Sequence, residues 1–260
     1  MLFRSTPFEK TALKGISVTI ENGEFLGIIG HTGSGKSTFV QHLNGLLHPT
    51  TGKVTVNGVD VSEKTDEAKH MRHKVGMVFQ YPEHQLFEET IAEDIAFGPK
   101  NLGLDAEEVD RRVREAMAFV GLDYDTYAER SPFHLSGGQM RRVAIAGVVA
   151  MEPDFLVLDE PSAGLDPFGR EEIFDEIIKL HKEKDVTVIL VSHNMEDISR
   201  MANRLIVLDK GQIVLDGKPL DIFNHHRHVL QQVGVDVPPV SVLIESLRNR
   251  GLDVSNEVLT

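Results

Sequence analysis

Three short segments carry residue types that could do chemistry on a phosphorylated ligand. The segment Gly30 to Ser37 is rich in glycine and ends in a lysine and a serine, and Leu135 to Gln139 contains a serine beside two glycines. Two carboxylates, Asp159 and Glu160, end an apolar run. Glycines let backbone N–H groups face phosphate oxygens, a lysine neutralises their charge, and carboxylates hold Mg²⁺ or activate water. In this order the segments predict a protein driven by ATP.

The first segment fits the phosphate-loop pattern G-x-x-x-x-G-K-[ST]. It follows the apolar run Phe25 to Ile29, so we expect a strand, the loop and then a helix whose positive end faces the phosphates. Lys36 should reach the β- and γ-phosphates, Ser37 should bind Mg²⁺ and Thr38 should touch the α-phosphate. A chance match is the alternative, and the strand-to-helix context argues against it. The predicted nucleotide ligands are Gly30, His31, Thr32, Gly33, Ser34, Gly35, Lys36, Ser37 and Thr38.

The acidic pair follows the apolar run Phe155 to Leu158. Open parallel sheets bind ligands at the carboxyl ends of their strands. We expect Asp159 to hold the Mg²⁺ shell and Glu160 to polarise the attacking water as general base. Taken alone, the pair is equally typical of surface carboxylates at a strand end, and the phosphate loop upstream favours the catalytic interpretation.

At this point the chain resembles the ATP-binding-cassette (ABC) ATPases, because Leu135 to Gln139 matches that family's signature and lies between the two nucleotide motifs. The signature offers a serine hydroxyl, glycine N–H groups and a helix N-terminus, which form a second anion-binding surface. In this family both surfaces act on one nucleotide only across a head-to-tail dimer. The resemblance therefore implies ligands for the partner's nucleotide, which are Ser136, Gly137, Gly138, Gln139 and Asp166.

The remaining positions of the family's pattern are also present. Gln80 follows the segment Val75 to Phe79, Ser162 to Asp166 follows the acidic pair, and His193 follows the apolar run Val188 to Val191. A lone histidine at a strand end is more often structural, but its place here favours a γ-phosphate sensor. The resemblance implies Glu160, His193 and Gln80 as catalytic residues, and Ser37, Gln80 and Asp159 as Mg²⁺ ligands.

Two stretches narrow the resemblance to energy-coupling factor (ECF) importers, namely Gly76 to Thr90 around Gln80 and Ser131 to Gly147 around the signature. The similarity runs from about Thr6 into the C-terminal extension. It is greatest to the ATP-binding protein EcfA in the second of its two paralogous forms, EcfA′, and cobalt and nickel importer ATPases are similar.

This resemblance implies a peripheral subunit on the cytoplasmic side of the cell membrane that powers uptake of vitamins or transition-metal ions. Its implied partners are a second EcfA-type subunit, the transmembrane scaffold EcfT and a substrate-binding S component. A heterodimer is favoured, although the sequence leaves a homodimer open. The cargo also stays open, because in this family another protein selects it.

A group of acidic residues near Gln80 suggests where the scaffold binds. Coupling helices of the scaffold enter a groove near this glutamine in related complexes, so the carboxylates could meet scaffold arginines. An ordinary solvated acidic helix is the alternative interpretation. The residues concerned are Glu83, Glu88, Glu89, Glu93 and Asp94.

The N-terminus departs from the family's pattern. Family members usually begin with a strand and an aromatic residue that stacks on adenine, whereas this chain starts just before Thr6 to Lys10. We expect Phe3 to be the stacking residue, and the departure suggests an N-terminally shortened chain.

Composition and charge limit the classes of protein to which this chain can belong. The 260 residues are 41% hydrophobic and 26% charged, include no cysteine, and carry a formal net charge of −13. Disulfides and thiolate metal sites are thus excluded, and binding to nucleic acid or anionic lipid is disfavoured. Apolar runs are shorter than the roughly 18 to 20 residues that span a bilayer, and no signal peptide is recognisable, so we expect any membrane role to depend on partners.

The order of elements predicts an α/β fold: a P-loop NTPase (RecA-like) core with an antiparallel β subdomain, an inserted α-helical subdomain and a C-terminal extension. We expect a strand at Ile16 to Ile20 and a hairpin at Val54 to Val61 with Asn57-Gly58 in its turn. The predicted domains are an ATPase domain at 1–217, with its helical subdomain at about 91–150, and an extension at 218–260 that serves dimerisation. His225, His226 and His228 are interpreted as a solvated helix face, with a metal site as the minority alternative.

A soluble mechanical ABC ATPase that acts on DNA or ribosomes is the rival function. A DNA-repair member should have a long coiled coil between Gln80 and Leu135, and a ribosome-associated member should have two cassettes in one chain. Neither pattern occurs in this sequence. A non-catalytic scaffold is disfavoured by the intact Lys36, Glu160 and His193.

Overall fold

The computed structural model describes residues 11–251 and residue 254. This part of the chain forms two compact units: residues up to His42 with those from Leu190 onward form the first, and Leu43–Ile189 form the second. Phe3 and Thr6 to Lys10 lie outside the described residues, so the adenine contact and the N-terminal departure stay predictions. The domain boundaries predicted from the sequence also stay predictions.

The described elements are as follows. The strands are β1 Phe25–Ile29, β2 Thr55–Val56, β3 Val59–Asp60, β4 Val75–Val78, β5 Phe155–Asp159, β6 Thr187–Val191, β7 Arg204–Asp209 and β8 Gln212–Gly217. The α-helices are α1 Lys36–Leu43, α2 Asp66–His73, α3 Ile91–Asn101, α4 Ala106–Phe119, α5 Tyr124–Tyr127, α6 Gly137–Val149, α7 Pro167–Lys184, α8 Met195–Met201, α9 Pro219–His225, α10 Arg227–Gln232 and α11 Pro239–Asn249. Short 3₁₀ turns lie at Pro82–Gln85 and Pro132–His134.

In the first unit, β1 and β7 pair in parallel with Gly27 opposite Leu205, and β8 runs antiparallel to β7. All five residues of β1 are buried, as expected for a strand covered on both faces. β7 and β8 are joined by Lys210 and Gly211, whose φ angles of 45° and 80° make a tight two-residue turn. A register shift between Val207 and Leu208 precedes this turn. The turn therefore fixes the position of Asp209, the last residue of β7.

In the second unit, β4 pairs in parallel with β5 so that Val78 lies opposite Leu158. Helices α3, α4 and α6 occupy the region predicted to be helical. The apolar face predicted for α4 is buried, with Val109, Val113, Met117 and Val120 at 7% exposure or less. Side chains cap the helices, as Asp105 does at the start of α4 by accepting the Glu108 N–H.

The fold class is confirmed: the chain is an α/β protein with a mixed sheet. The hairpin is present as β2 and β3, with Asn57 and Gly58 at φ angles of 50° and 85°. The strand predicted at Ile16 to Ile20 is wrong, because these residues form no ladder with any described strand. They do alternate between half-buried and exposed. Alternation fixes which side chains face inward, but a strand also needs a partner for its backbone, and here the Thr19 carbonyl accepts from Arg204 instead.

Among residues 11–251 and 254, no helix has the length and apolar character needed to cross a membrane.

Candidate nucleotide-binding site

The phosphate loop joins β1 to α1 through backbone that only glycine can adopt. Gly30 has a φ of 153°, and a Cβ there would lie 2.3 Å from the Leu208 carbonyl oxygen and 2.6 Å from Ser34 Oγ. Gly35 has a φ of 110°, and its Cβ would lie 2.9 Å from Leu13 Cδ2. The glycines thus allow the loop to pack closely against its own unit.

Lys36 is buried at 6% exposure beneath this loop. Its ammonium donates to the Gly30 carbonyl at 2.6 Å and to the His31 carbonyl at 3.2 Å. The first turn of α1 contains no acidic residue, so the helix dipole and the lysine charge add at the same place. This concentration of positive charge and N–H donors fits the phosphates of a nucleotide.

His31 links the loop to the end of β7. Its Nε2 lies 2.9 Å from Asp209 Oδ1, and its Nδ1 lies 2.7 Å from the Thr32 carbonyl oxygen. The turn after β7 reaches the loop a second time, where the Gly211 N–H donates to the Ser34 carbonyl at 2.8 Å. The loop is therefore held from two sides by one strand end.

His193 follows β6 in the first unit and is exposed. The preceding Ser192 donates its N–H to the Ile28 carbonyl at 3.4 Å. Ile28 lies in β1, the strand that leads into the phosphate loop. The residue before His193 is thus hydrogen bonded to that strand. His193 therefore lies in the same unit as the phosphate loop, and its role as a γ-phosphate sensor stays a prediction.

In the second unit, the predicted acidic pair ends β5. Asp159 is buried at 5% exposure, and Glu160 has a left-handed φ of 54°. A non-glycine residue pays about 1 to 3 kcal/mol for such a conformation, which is retained most often at functional sites. Because β4 and β5 are parallel neighbours, Gln80, just after β4, and Asp159, the last residue of β5, lie at the same sheet edge. Carboxylate and amide oxygens, as in Asp159 and Gln80, are ligand types that suit Mg²⁺.

The signature begins α6. Ser136 is the N-cap, its Oγ accepting the Gln139 N–H at 3.3 Å while Gln139 Oε1 accepts the Ser136 N–H at 3.1 Å. Ser136 and Gly137 are exposed, and a Cβ on Gly137 would meet nothing within 4 Å. Asp166 likewise caps α7, accepting the Gly169 N–H at 2.7 Å. The predicted ligands for the partner's nucleotide thus lie at two exposed helix N-termini.

Comparisons with known proteins agree with this geometry. The profile of the ABC transporter family matches residues 13–163. The chain belongs to the ABC transporter family.

Relatives within this family narrow the assignment. The energy-coupling factor transporter ATP-binding protein EcfA2 of Clostridium perfringens is 58% identical over 98% of this chain and 89% of its own length. The EcfA2 protein of Caldanaerobacter subterraneus subsp. tengcongensis is 53% identical over 98% of this chain and 88% of its own length. The chain is therefore an ATP-hydrolysing ABC subunit of the EcfA2 type, with ATP and Mg²⁺ as its ligands.

Two solved structures share the fold. cbiO1 from Clostridium perfringens, part of the ABC transporter complex cbiONQ, has a TM-score of 0.75 and 35% identity, over 90% of this chain and 92% of that one. The dimeric post-hydrolysis structure of the ATP-binding cassette MJ0796, bound to ADP and Pi, has a TM-score of 0.73 and 32% identity, over 80% of this chain and 90% of that one.

Arg141 was not singled out from the sequence as a residue of the site. Arg141 on α6 is 4% exposed, and its guanidinium donates to the Gln80 carbonyl at 3.4 Å and to Glu83 at 3.3 Å. It also lies 3.8 Å from the position of a Cβ on Gly164. Arg141 therefore joins the signature helix to the segments around Gln80 and Gly164. A charged residue within the apolar stretch that follows the signature was the available signal.

The acidic residues near Gln80 divide into two groups. Glu83 pairs with Arg141, Asp94 accepts the N–H groups of Phe87 and Glu88 at 2.8 and 3.0 Å, and Glu93 accepts from Thr90. Within the described part of the chain, Glu88 and Glu89 form no ion pair. Phe87 and Phe97 are exposed beside them and stack edge to face at 4.8 Å. The surface therefore combines two unpaired carboxylates with two aromatic rings.

Proposed function

We propose that this chain is one of two ABC subunits that close head to tail around MgATP and thereby drive an ECF importer. The other members of the proposed complex are a second EcfA-type subunit, an EcfT scaffold and an S component, with vitamins or transition-metal ions as cargo. The chain would lie on the cytoplasmic side of the cell membrane and be held there by these partners. The observation that carries the proposal is the 58% identity to an EcfA2 protein over nearly the whole chain.

The arrangement of anion-binding surfaces supports the dimer. The phosphate loop and the signature each present N–H groups at the start of a helix, and Ser136 and Gly137 are exposed at the second of these. The MJ0796 cassette, which shares the fold, is dimeric with ADP and Pi bound. The capping box satisfies only some of the N–H groups at the start of α6. A partner's nucleotide placed against Ser136 would accept hydrogen bonds from the remaining ones.

The proposed chemistry divides between binding and proton transfer. Lys36 and the loop N–H groups would bind the β- and γ-phosphates, and Thr38 would contact the α-phosphate. Ser37, Gln80 and Asp159 would hold Mg²⁺, which supplies charge neutralisation to the phosphate oxygens. Glu160 would accept a proton from the attacking water, and His193 would bind the γ-phosphate.

The exposed surface around Phe87 and Glu88 is the proposed contact with the scaffold. The two exposed rings offer apolar area that burial would stabilise, and Glu88 and Glu89 offer charge for basic scaffold residues. This revises the larger acidic set, because the carboxylates of Glu83, Glu93 and Asp94 are already hydrogen bonded within the chain.

The test is to purify the chain from its native membrane in mild detergent, identify the co-purifying proteins and measure ATPase activity on the same sample. We expect a transmembrane scaffold, a second ATPase subunit and small S proteins. Lys36→Ala is the matched control, since it should abolish the activity but leave the partners in place. Recovery of ribosomal or DNA-associated proteins, without membrane subunits, would favour the soluble rival.

A further inference from the structure

A buried arginine lies where three segments of the second unit meet. Arg141, in α6, is 4% exposed, and its Nη2 donates to the Gln80 carbonyl at 3.4 Å and to Glu83 Oε2 at 3.3 Å. Its Nη1 lies 3.8 Å from the position of a Cβ on Gly164. One side chain of the signature helix thus lies beside the two loops that follow the neighbouring strands β4 and β5.

The hydrogen-bonding capacity of Arg141 is not fully used in this position. Within the part of the chain that the structure describes, its Nε has no hydrogen-bond acceptor. A buried charge with an unused N–H costs free energy, and an apolar side chain of similar volume is often as stabilising at such a place or more so. Stability alone therefore gives little reason for an arginine here. Its guanidinium does fix a carbonyl and a carboxylate of another segment relative to α6.

The segment 80–88, which Arg141 binds, is anchored at both ends. Arg141 holds its first part from α6. At the other end the Asp94 carboxylate, in the first turn of α3, accepts the N–H groups of Phe87 and Glu88 at 2.8 and 3.0 Å. A short 3₁₀ turn lies between the two anchors. Arg141 therefore links this segment to α6 by polar contacts, as Asp94 links it to α3.

Arg141 also lies close to the start of the signature helix. It begins the second turn of α6, whose N-cap is Ser136. A Cβ on Gly138 would lie 3.5 Å from Leu165 Cδ2, so the first turn of α6 packs on the loop that contains Gly164. Arg141 thus connects the segment 80–88 to the part of α6 that presents the exposed serine.

We propose that Arg141 is a positioning residue: it holds the segment that carries Gln80 and the proposed scaffold contact at a fixed place relative to the signature helix. A displacement of the surface at Phe87 and Glu88 is then passed to the start of α6 through one buried contact. The backbone of Gln80 is fixed by the same guanidinium. The proposal rests on the proposed function, which gives Gln80 a catalytic role and the exposed surface its partner.

Hydrogen exchange of the whole purified chain, followed by mass spectrometry, tests the anchor itself. Arg141→Met keeps an unbranched side chain but removes the guanidinium. The amides of residues 81–86 should then exchange about two- to tenfold faster than in the unmodified chain, the range that loss of one hydrogen bond allows. Glu83→Gln, at a half-buried side chain, leaves the Gln80 contact in place and should give a smaller increase in the same amides. The double variant should exchange no faster than Arg141→Met, because both changes remove the same ion pair.

ATPase kinetics of the chain purified with its partners test the role in catalysis. Arg141→Met should lower kcat about 10- to 100-fold, as small displacements of catalytic groups do, and leave the KM for MgATP unchanged. Arg112→Met is the matched control, because Arg112 is a half-buried arginine of α4 that pairs with Glu108 and Glu152 instead. This control should keep the kcat, the KM and the exchange of residues 81–86 of the unmodified chain.

Two results would overturn the proposal. One is unchanged exchange of residues 81–86 in Glu83→Gln and Arg141→Met, and Glu83→Gln decides this point alone if the buried change prevents folding. The other is an equal kcat for Arg141→Met and Arg112→Met, which would indicate that Arg141 has a structural role alone. Absence of ATPase activity and of membrane partners with the unmodified chain would instead contradict the proposed function. The exchange experiment needs neither, so the two failures are distinguishable.

Discussion

At the scale of single residues, the candidate site contains a strained glutamate. Glu160 has a φ of 54°, which lies in the left-handed region that residues other than glycine rarely adopt. The strand β5 fixes the preceding backbone, and the Ala163 N–H donates to the Glu160 carbonyl at 3.2 Å. The surrounding structure therefore determines this conformation, at a residue that directly follows β5.

Glu160→Gln should lower the rate of ATP hydrolysis by about 10²- to 10⁴-fold, because an amide cannot accept the proton of the attacking water. Nucleotide affinity should change little, since the phosphates are bound by other groups. Single-turnover hydrolysis and equilibrium binding on the same preparation measure the two effects. Glu176→Gln, a change to a half-buried glutamate of α7 that pairs with Lys179, is the control and should hydrolyse ATP normally. Unchanged turnover in Glu160→Gln would remove the residue from its proposed role.

Single residues were predictable from the sequence where a motif is contiguous. The phosphate loop and the signature are continuous in the chain, so their positions could be assigned without a structure. Arg141 and Asp209 act through partners 58 to 178 residues away, and sequence alone does not show such pairs. Asp209 nevertheless ends an apolar run, as Asp159 does, so the same signal could have indicated it.

At the scale of elements, close packing between β4 and α6 positions the segment that leads to Gln80. A Cβ on Gly76 would lie 2.7 Å from Val148 Cγ1 and 3.0 Å from Pro153 Cγ. The proline ring cannot rotate away, so the strand can approach the helix this closely only with glycine at this position. This contact lies within the second unit, in the strand that precedes Gln80.

Gly76→Ala should therefore destabilise the protein by about 1 to 3 kcal/mol, as overpacking of a tight core does. Gly147→Ala, within α6, is the matched change, because its Cβ would meet nothing closer than 4.0 Å. Removing a glycine from a helix interior should stabilise by about 0.5 to 1 kcal/mol. Urea unfolding of both variants measures the difference. Equal effects of the two substitutions would mean that the β4–α6 contact does not limit stability.

Elements were predictable where periodicity and caps agree. The buried stripe of α4, its Asp105 cap and the Asn57-Gly58 turn were all indicated by local sequence and are present. Ile16 to Ile20 shows the limit, because its alternation produced the expected burial pattern but no ladder. Strand pairing is a property of two segments, and one segment's pattern cannot establish it.

At the scale of the whole molecule, charge and exposed apolar area point to partners. A net charge of −13 favours basic surfaces, while Phe87 and Phe97 offer aromatic area that is exposed in the isolated chain. The two features predict different responses to salt. Screening weakens attraction between exposed charges, with a Debye length of about 8 Å at physiological ionic strength, but it does not weaken apolar burial.

Replacing both Phe87 and Phe97 by serine should thus reduce recovery of the membrane scaffold at every salt concentration, because the apolar area of the contact is lost. Glu88→Lys with Glu89→Lys should reduce recovery at low salt and have little further effect at about 0.5 M, where the Debye length is only a few ångströms. Leu46→Ser and Glu107→Lys, exposed changes elsewhere on the chain and outside the C-terminal extension, are the controls for each pair. Quantitative mass spectrometry of the detergent-purified complexes gives the recovery. If both double variants retained the scaffold at all salt concentrations, the proposed contact surface would be wrong, whereas loss in the phenylalanine pair alone would identify an apolar contact with an incidental acidic rim.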